Sequence, residues 1–150
     1  MITVRRIVHG IHAHFPIRWP EWVMAAPALG MGIALLEQHA MFQASPSFTT
    51  LAAWADQTTW AFLVLFCCFV RVVALTVNGT FHGFGWSPHM RLGASLCGLF
   101  FWSQYTLGFF HSAFGEGGSW SAPVMYSTAV MFELGNSYRA WLDVLHPRRR

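Results

Sequence analysis

The chain contains no lysine: its nine basic residues are all arginine. Charge of either sign is scarce, at 10% of residues, where an ordinary soluble domain carries about 25%. With 55% hydrophobic residues, 17% aromatics and a mean hydropathy of +0.42, that deficit places the chain among integral membrane proteins. Cysteine is rare too. Cys67, Cys68 and Cys97 lie inside apolar runs and none forms a C-x-x-C, which argues against a disulfide framework or a zinc site and leaves buried thiols acting as small hydrophobes. There is no GxSxG, HExxH or P-loop, and no serine or cysteine with a base at a recognisable spacing, so no catalytic signature is present and a non-enzymatic role is expected. The first twenty residues lack an apolar h-region and a small-residue cleavage site; they hold three arginines and three histidines instead. Membrane insertion is therefore expected to rest on the first spanning helix. A net charge of +3 and a pI near 9.1 would suit nucleic acid, but Arg5, Arg6, Arg18, Arg148, Arg149 and Arg150 gather at the chain ends. Topology signals are distributed that way, and nucleic acid is set aside as a partner.

What is present is a run long enough to cross a bilayer, Trp60 to Gly79 (WAFLVLFCCFVRVVALTVNG), with Arg71 near its middle. An arginine there costs roughly 2.5–3.5 kcal/mol on the insertion scale, so the rest of the chain must supply a partner, a cavity or an escape to headgroups. Around this run the sequence predicts a single domain over residues 1–150: an all-α integral membrane bundle of four transmembrane helices. The spans are about 21–41, 60–78, 92–110 and 121–142. Residues 1–20 are basic and amphipathic and end at Pro20; they fit a short helix on the membrane surface or a partly ordered tail. Residues 43–58 form a polar connection with room for a short helix after Ser47, and residues 78–91 form a glycine- and aromatic-rich one.

Four spans put both termini on one side. Arg5, Arg6, Arg18, Arg91, Arg139 and Arg148 to Arg150 fall on that side, and the opposite connections carry only Asp56 and Glu116. The positive-inside rule makes that side the cytoplasm. Trp19, Trp22, Trp86 and Trp141 fall at inner span ends and Trp54, Trp60 and Trp120 at outer ends, as in an aromatic belt; Trp102 alone is mid-span.

With Asn78 and Arg139 level at the inner boundary, Arg71 and Glu133 stand about 9–11 Å deep on helices running in the same direction. The guanidinium fork matches a carboxylate, which predicts a buried Arg71–Glu133 pair; the alternative is a snorkelling Arg71 beside a protonated Glu133. Asn78, Gln104 and Asn136 are supporting hydrogen-bond candidates. Each span carries a stripe of small and polar residues: Gly30, Ala34 and Glu37; Cys67, Cys68, Arg71, Ala74 and Asn78; Gly93, Cys97, Gln104, Gly108 and His111; Tyr126, Ala129, Glu133, Asn136, Ser137 and Ala140. These stripes are expected to face inward, or else to form a subunit interface or line a pore.

His39 and His111, near the outer ends of outward-running helices, are candidate axial ligands for one haem, against the commoner role of interfacial residues. His9, His12, His14, His82 and His89 share a side without metal-ligand spacing. No cofactor is expected. Asn78-Gly79-Thr80 matches a glycosylation sequon on the cytoplasmic side, an accidental match. A small multidrug exporter needs its acid mid-membrane in the first span, and Glu37 is too near the outer surface for that.

The run R-V-V-A-L-x-V-N-G (Arg71 to Gly79), then S-P-H-M-R-L-G (Ser87 to Gly93), F-F-W-x-Q-x-x-L-G (Phe100 to Gly108) and S-Y-R-A-W (Ser137 to Trp141) resembles small multi-span membrane proteins encoded by tailed phages and prophages. The resemblance covers the C-terminal half. It implies a phage-encoded protein of the host inner membrane that acts by assembling with itself or a partner membrane protein in the lipid bilayer, possible roles including holin-like lysis. A small transporter or channel using Arg71, Glu133 and Gln104, or a haem-binding redox subunit, is the alternative.

Overall fold

The computed structural model describes residues 2–80, 85–115 and 119–146, and among these the chain is all-helical. Four long helices, α1 (Ile2–Glu37), α4 (Gln57–Thr80), α5 (Ser87–Gly115) and α6 (Ser121–Leu145), form the bundle. Between α1 and α4 lie two one-turn helices, α2 (Met41–Ala44) and α3 (Thr49–Ala52), separated by a 3-10 turn at Pro46–Phe48. α1 packs mainly on α4, and α5 on α6, with α4 against α5. Neighbours run antiparallel: Gln57 bonds Leu35 while Cys68 bonds Ala25, and Arg18 of α1 meets Asp143 of α6. The bundle thus has a terminal end, where α1 begins and α6 stops, and a cap end closed by residues 38–56.

Two helical stretches, Val8–Glu37 and Gln57–Val77, are long and apolar enough to cross a membrane. α5 and α6, at 29 and 25 residues, are long enough for about 30 Å of hydrocarbon, but serine, glycine, glutamine and the charges of α6 dilute their apolar character. The expected break at Pro20 is absent. α1 continues through Pro16, Pro20 and Pro27 for 36 residues, about 54 Å at 1.5 Å per residue. Side-chain donors of α6 reach its backbone near that point: Asn136 Nδ2 donates to the Pro20 carbonyl at 3.5 Å and Arg139 Nη1 to that of Ile17 at 3.2 Å.

The cap end is built by side chains that satisfy helix termini. Gln57 Nε2 donates to the carbonyls of Leu35 and Gln38, each at 2.7 Å, while its Oε1 accepts from the Phe42 amide at 3.1 Å. Asp56 caps α4, accepting from the Thr59 amide at 2.7 Å, and these bonds hold its carboxyl below the ordinary carboxylate value. Thr50 Oγ1 donates to the Gln104 carbonyl at 2.6 Å, and Trp60 Nε1 to that of Leu51 at 2.9 Å. Gly108 lets the cap lie directly on α5, because a Cβ there would collide with the Ser47 carbonyl oxygen.

Two expected stripes do not face the core. In α1, Gly30 and Glu37 are exposed, and the inward face is Glu21, Met24, Ala25 and Leu35. In α5, Cys97 and His111 are exposed, while Phe101, Trp102 and Tyr105 fill the interior. Large side chains gain most by filling the space between helices, so they displace the small ones outward. Trp60, expected at an interface, is also in this core. The stripes of α4 and α6 do turn inward: Cys68, Arg71 and Ala74, and Glu133, Asn136, Ser137 and Ala140, are buried. The Asn78 side chain lies outside the described residues, as do His82 and Glu116.

Candidate functional site

Six charged side chains converge on the contact between the α1–α4 pair and the α5–α6 pair, in two tiers. The tier nearer the terminal end is centred on Arg91, whose side chain is 0% exposed. Its Nε donates to Glu21 Oε2 at 2.7 Å and its Nη2 to Glu21 Oε1 at 2.6 Å, a two-pronged match of guanidinium and carboxylate. Arg91 Nη1 donates to Asp143 Oδ2 at 2.9 Å. Arg18 closes the ring, with Nη1 on Glu21 at 3.2 Å and Nη2 on Asp143 at 3.0 Å. Two arginines thus alternate with two carboxylates. Burial pushes the Asp143 carboxyl up, but the bonds and charges of Arg91 and Arg18 outweigh it, and its pKa ends below the ordinary value.

The second tier lies deeper, toward the cap. Arg71 Nη2 donates to Glu133 Oε2 at 2.7 Å and to the Ala94 carbonyl at 3.3 Å, with both side chains almost fully buried. The two residues whose matched depth the sequence predicts are therefore in contact. Gly98 makes room for them. A Cβ there would stand 2.5 Å from Glu133 Oε1 and 3.3 Å from Arg71 Nη2. Beside the pair is a cavity of about 20 Å³, lined in part by Ala28, Cys68, Gly98 and Trp102.

Of the supporting residues, Asn136 is buried one turn from Glu133 and bonds Pro20. Gln104 takes part through its backbone carbonyl, which holds Thr50. His39 lines an open pocket of about 330 Å³ at the cap end with Gln43, Asp56 and Thr58, a lining that does not include His111. Among the described residues no group of three or more His, Cys, Asp or Glu side chains is arranged to hold a metal.

The ring of Arg18, Glu21, Arg91 and Asp143 is absent from the sequence reading, which assigns the arginines to the cytoplasmic boundary as topology signals. The signal that finds it is the one that finds Arg71 and Glu133. Glu21 opens the first span, Arg91 precedes the third and Asp143 follows the fourth, so all stand at one level. Beyond the Arg71–Glu133 pair toward the cap, Phe101, Trp102, Tyr105 and Tyr126 pack ring on ring, with Tyr105 and Tyr126 centroids 4.5 Å apart. No protein-family model, no curated protein and no solved structure matches the chain.

Proposed function

We propose that the chain is a four-span integral protein of a bacterial inner membrane, with both termini cytoplasmic, that acts without catalysis by assembling with itself or with partner membrane proteins. The observation that carries this reading is an inverted polarity. Arg71, Arg91, Glu21 and Glu133 are buried, while Phe62, Phe66, Phe69, Leu107, Val124 and Met131 stand exposed on α4, α5 and α6. Water would penalise that much exposed apolar surface; lipid accepts it. The fully paired charges favour a fixed bundle. The resemblance of residues 71–141 to phage-encoded membrane proteins supports a phage-type role, and holin-like lysis is its most concrete form. Co-expression with a cytoplasmic endolysin tests that form. Abrupt lysis on addition of an energy poison is the expected result, and intact cells at full expression remove the holin assignment while leaving an assembly protein.

One observation favours a second reading, a small transporter or channel. Arg71 Nε and Glu133 Oε1 are buried beside a cavity and bonded to no protein atom. On this reading Glu133→Gln abolishes flux in proteoliposomes while the protein keeps its thermal stability. A parallel loss of both assigns the pair to the fold.

A further inference from the structure

Two buried arginines of the bundle each meet a glutamate, and only one of them uses both prongs of its fork. Arg91 gives Nε to Glu21 Oε2 at 2.7 Å and Nη2 to Glu21 Oε1 at 2.6 Å, so both oxygens of that carboxylate are bonded. Arg71 gives Glu133 only Nη2, which bonds Oε2 at 2.7 Å. Arg71 Nε and the second oxygen, Glu133 Oε1, are buried and bonded to no protein atom. The two side chains are 3% and 1% exposed, so bulk water does not supply the missing bonds. Asn136, one turn along α6 from Glu133, donates to the Pro20 carbonyl instead.

A guanidinium is planar, and its Nε–H and one Nη2–H leave by the same edge. With the Nη2 prong on Oε2, the free donor and the free acceptor therefore stand on one side of the ion pair. Gly98 leaves space there. A Cβ at Gly98 would lie 2.5 Å from Oε1, and Gly98 shares with Arg71 and Glu133 the lining of the cavity of about 20 Å³. A water needs roughly 10–15 Å³ on that scale, so the cavity admits one water and nothing larger. Its occupant must accept from one group and donate to the other, and it must be uncharged because the pair is already balanced. We infer that the cavity binds a single water, which accepts from Arg71 Nε and donates to Glu133 Oε1 and so supplies the second prong that Arg91 and Glu21 make directly. Arg18, Glu21, Arg91 and Asp143 do not line the cavity, so the water belongs to the deeper pair alone. The inference rests on the geometry of the pair and on neither functional reading.

Solution NMR on the full-length labelled protein in micelles tests the site by cross-relaxation between water and the guanidinium protons, with Arg71→Lys identifying the Arg71 signal by its loss. A water cross-peak at Arg71 Nε–H severalfold stronger than at Arg91 Nε–H is expected, because the Arg91 fork is closed. No cross-peak at Arg71, or one equal to that at Arg91, overturns the proposal. Gly98→Ala presses a methyl group on Oε1 and is expected to remove the Arg71 cross-peak; its persistence in a folded Gly98→Ala protein overturns the placement, and the parent measurement decides the matter if that variant does not fold. A crystal structure grown from lipid mesophase reads the atoms directly. A solvent peak about 2.7–3.2 Å from both Nε and Oε1 is expected, and Nε bonded directly to Oε1, or Asn136 Nδ2 bonded to it, overturns the water.

Discussion

Arg71→Leu alone is expected to destabilise the bundle by about 3–5 kcal/mol, because it strands the Glu133 carboxylate in an interior where, among the described residues, Arg71 is the one cation that bonds it. Glu133→Leu should cost a similar amount by stranding Arg71. The double replacement, Arg71→Leu with Glu133→Leu, should recover most of the loss and end within about 1–2 kcal/mol of the parent, since a buried pair is often exchanged for apolar residues at little cost. Reversible unfolding in mixed micelles, run on all four proteins, gives the coupling directly. If the double variant is no more stable than the singles, the pair is not a self-contained unit and its loss is transmitted through other groups. The same four proteins in the lysis or flux assay separate the roles: a stable double variant with full activity assigns the pair to the fold.

Arg91→Met should be at least as damaging, about 3–5 kcal/mol, and its rescue should be harder. Arg91 bonds two carboxylates on two helices, Glu21 and Asp143, and with Arg18 left between them a neutralising change at one restores the charge balance but not the bonds Arg91 made to both. Arg91→Lys keeps the charge and tests the geometry. An ammonium cannot reproduce the fork that bonds Glu21 through both Nε and Nη2, and most of the loss is expected to persist. A lysine variant as stable as the parent would falsify the claim that planar bidentate contact matters here. Acid should weaken the same ring. The Asp143 pKa is lowered from 3.8, so its contribution is complete above the unfolded value and is lost as pH falls through the lower folded one. The difference between parent and Arg91→Met should accordingly narrow below about pH 4, as thermal melts across pH would show.

The Arg71–Glu133 contact was legible because both residues lie well inside long helices, where counting residues from the helix ends gives a level and that level leaves few partners. The ring at the terminal end was hidden by a competing explanation. Arginine at a span end is so well accounted for by topology that Arg18 and Arg91 raise no question, although Glu21 and Asp143 stand at the same level. Helix faces were legible on α4 and α6, where a charged residue selects the inward side. They were not on α1 and α5, where Leu35, Phe101, Trp102 and Tyr105 took the interior and turned Gly30 and Cys97 outward. Where α1 passes through Pro20, the Asn136 and Arg139 side chains of α6 donate to the Pro20 and Ile17 carbonyls, a long-range contact that local pattern does not contain.

The charge ring and the deeper pair also divide the molecule in a particular way. Arg71 sits on α4 and its carboxylate on α6; Arg91 sits on α5 and its forked partner on α1. The first helical hairpin, α1 with α4, therefore carries Arg71 without its carboxylate, and the second, α5 with α6, carries Glu133 without its arginine. Neither half pairs all of its buried charges by itself, and the register that satisfies one tier satisfies the other. The buried charges thus act as a recognition code between two halves of one chain. A shift of register between the two hairpins would leave Arg71, Arg91, Glu21 and Glu133 buried without their partners, at a cost of several kcal/mol per stranded charge.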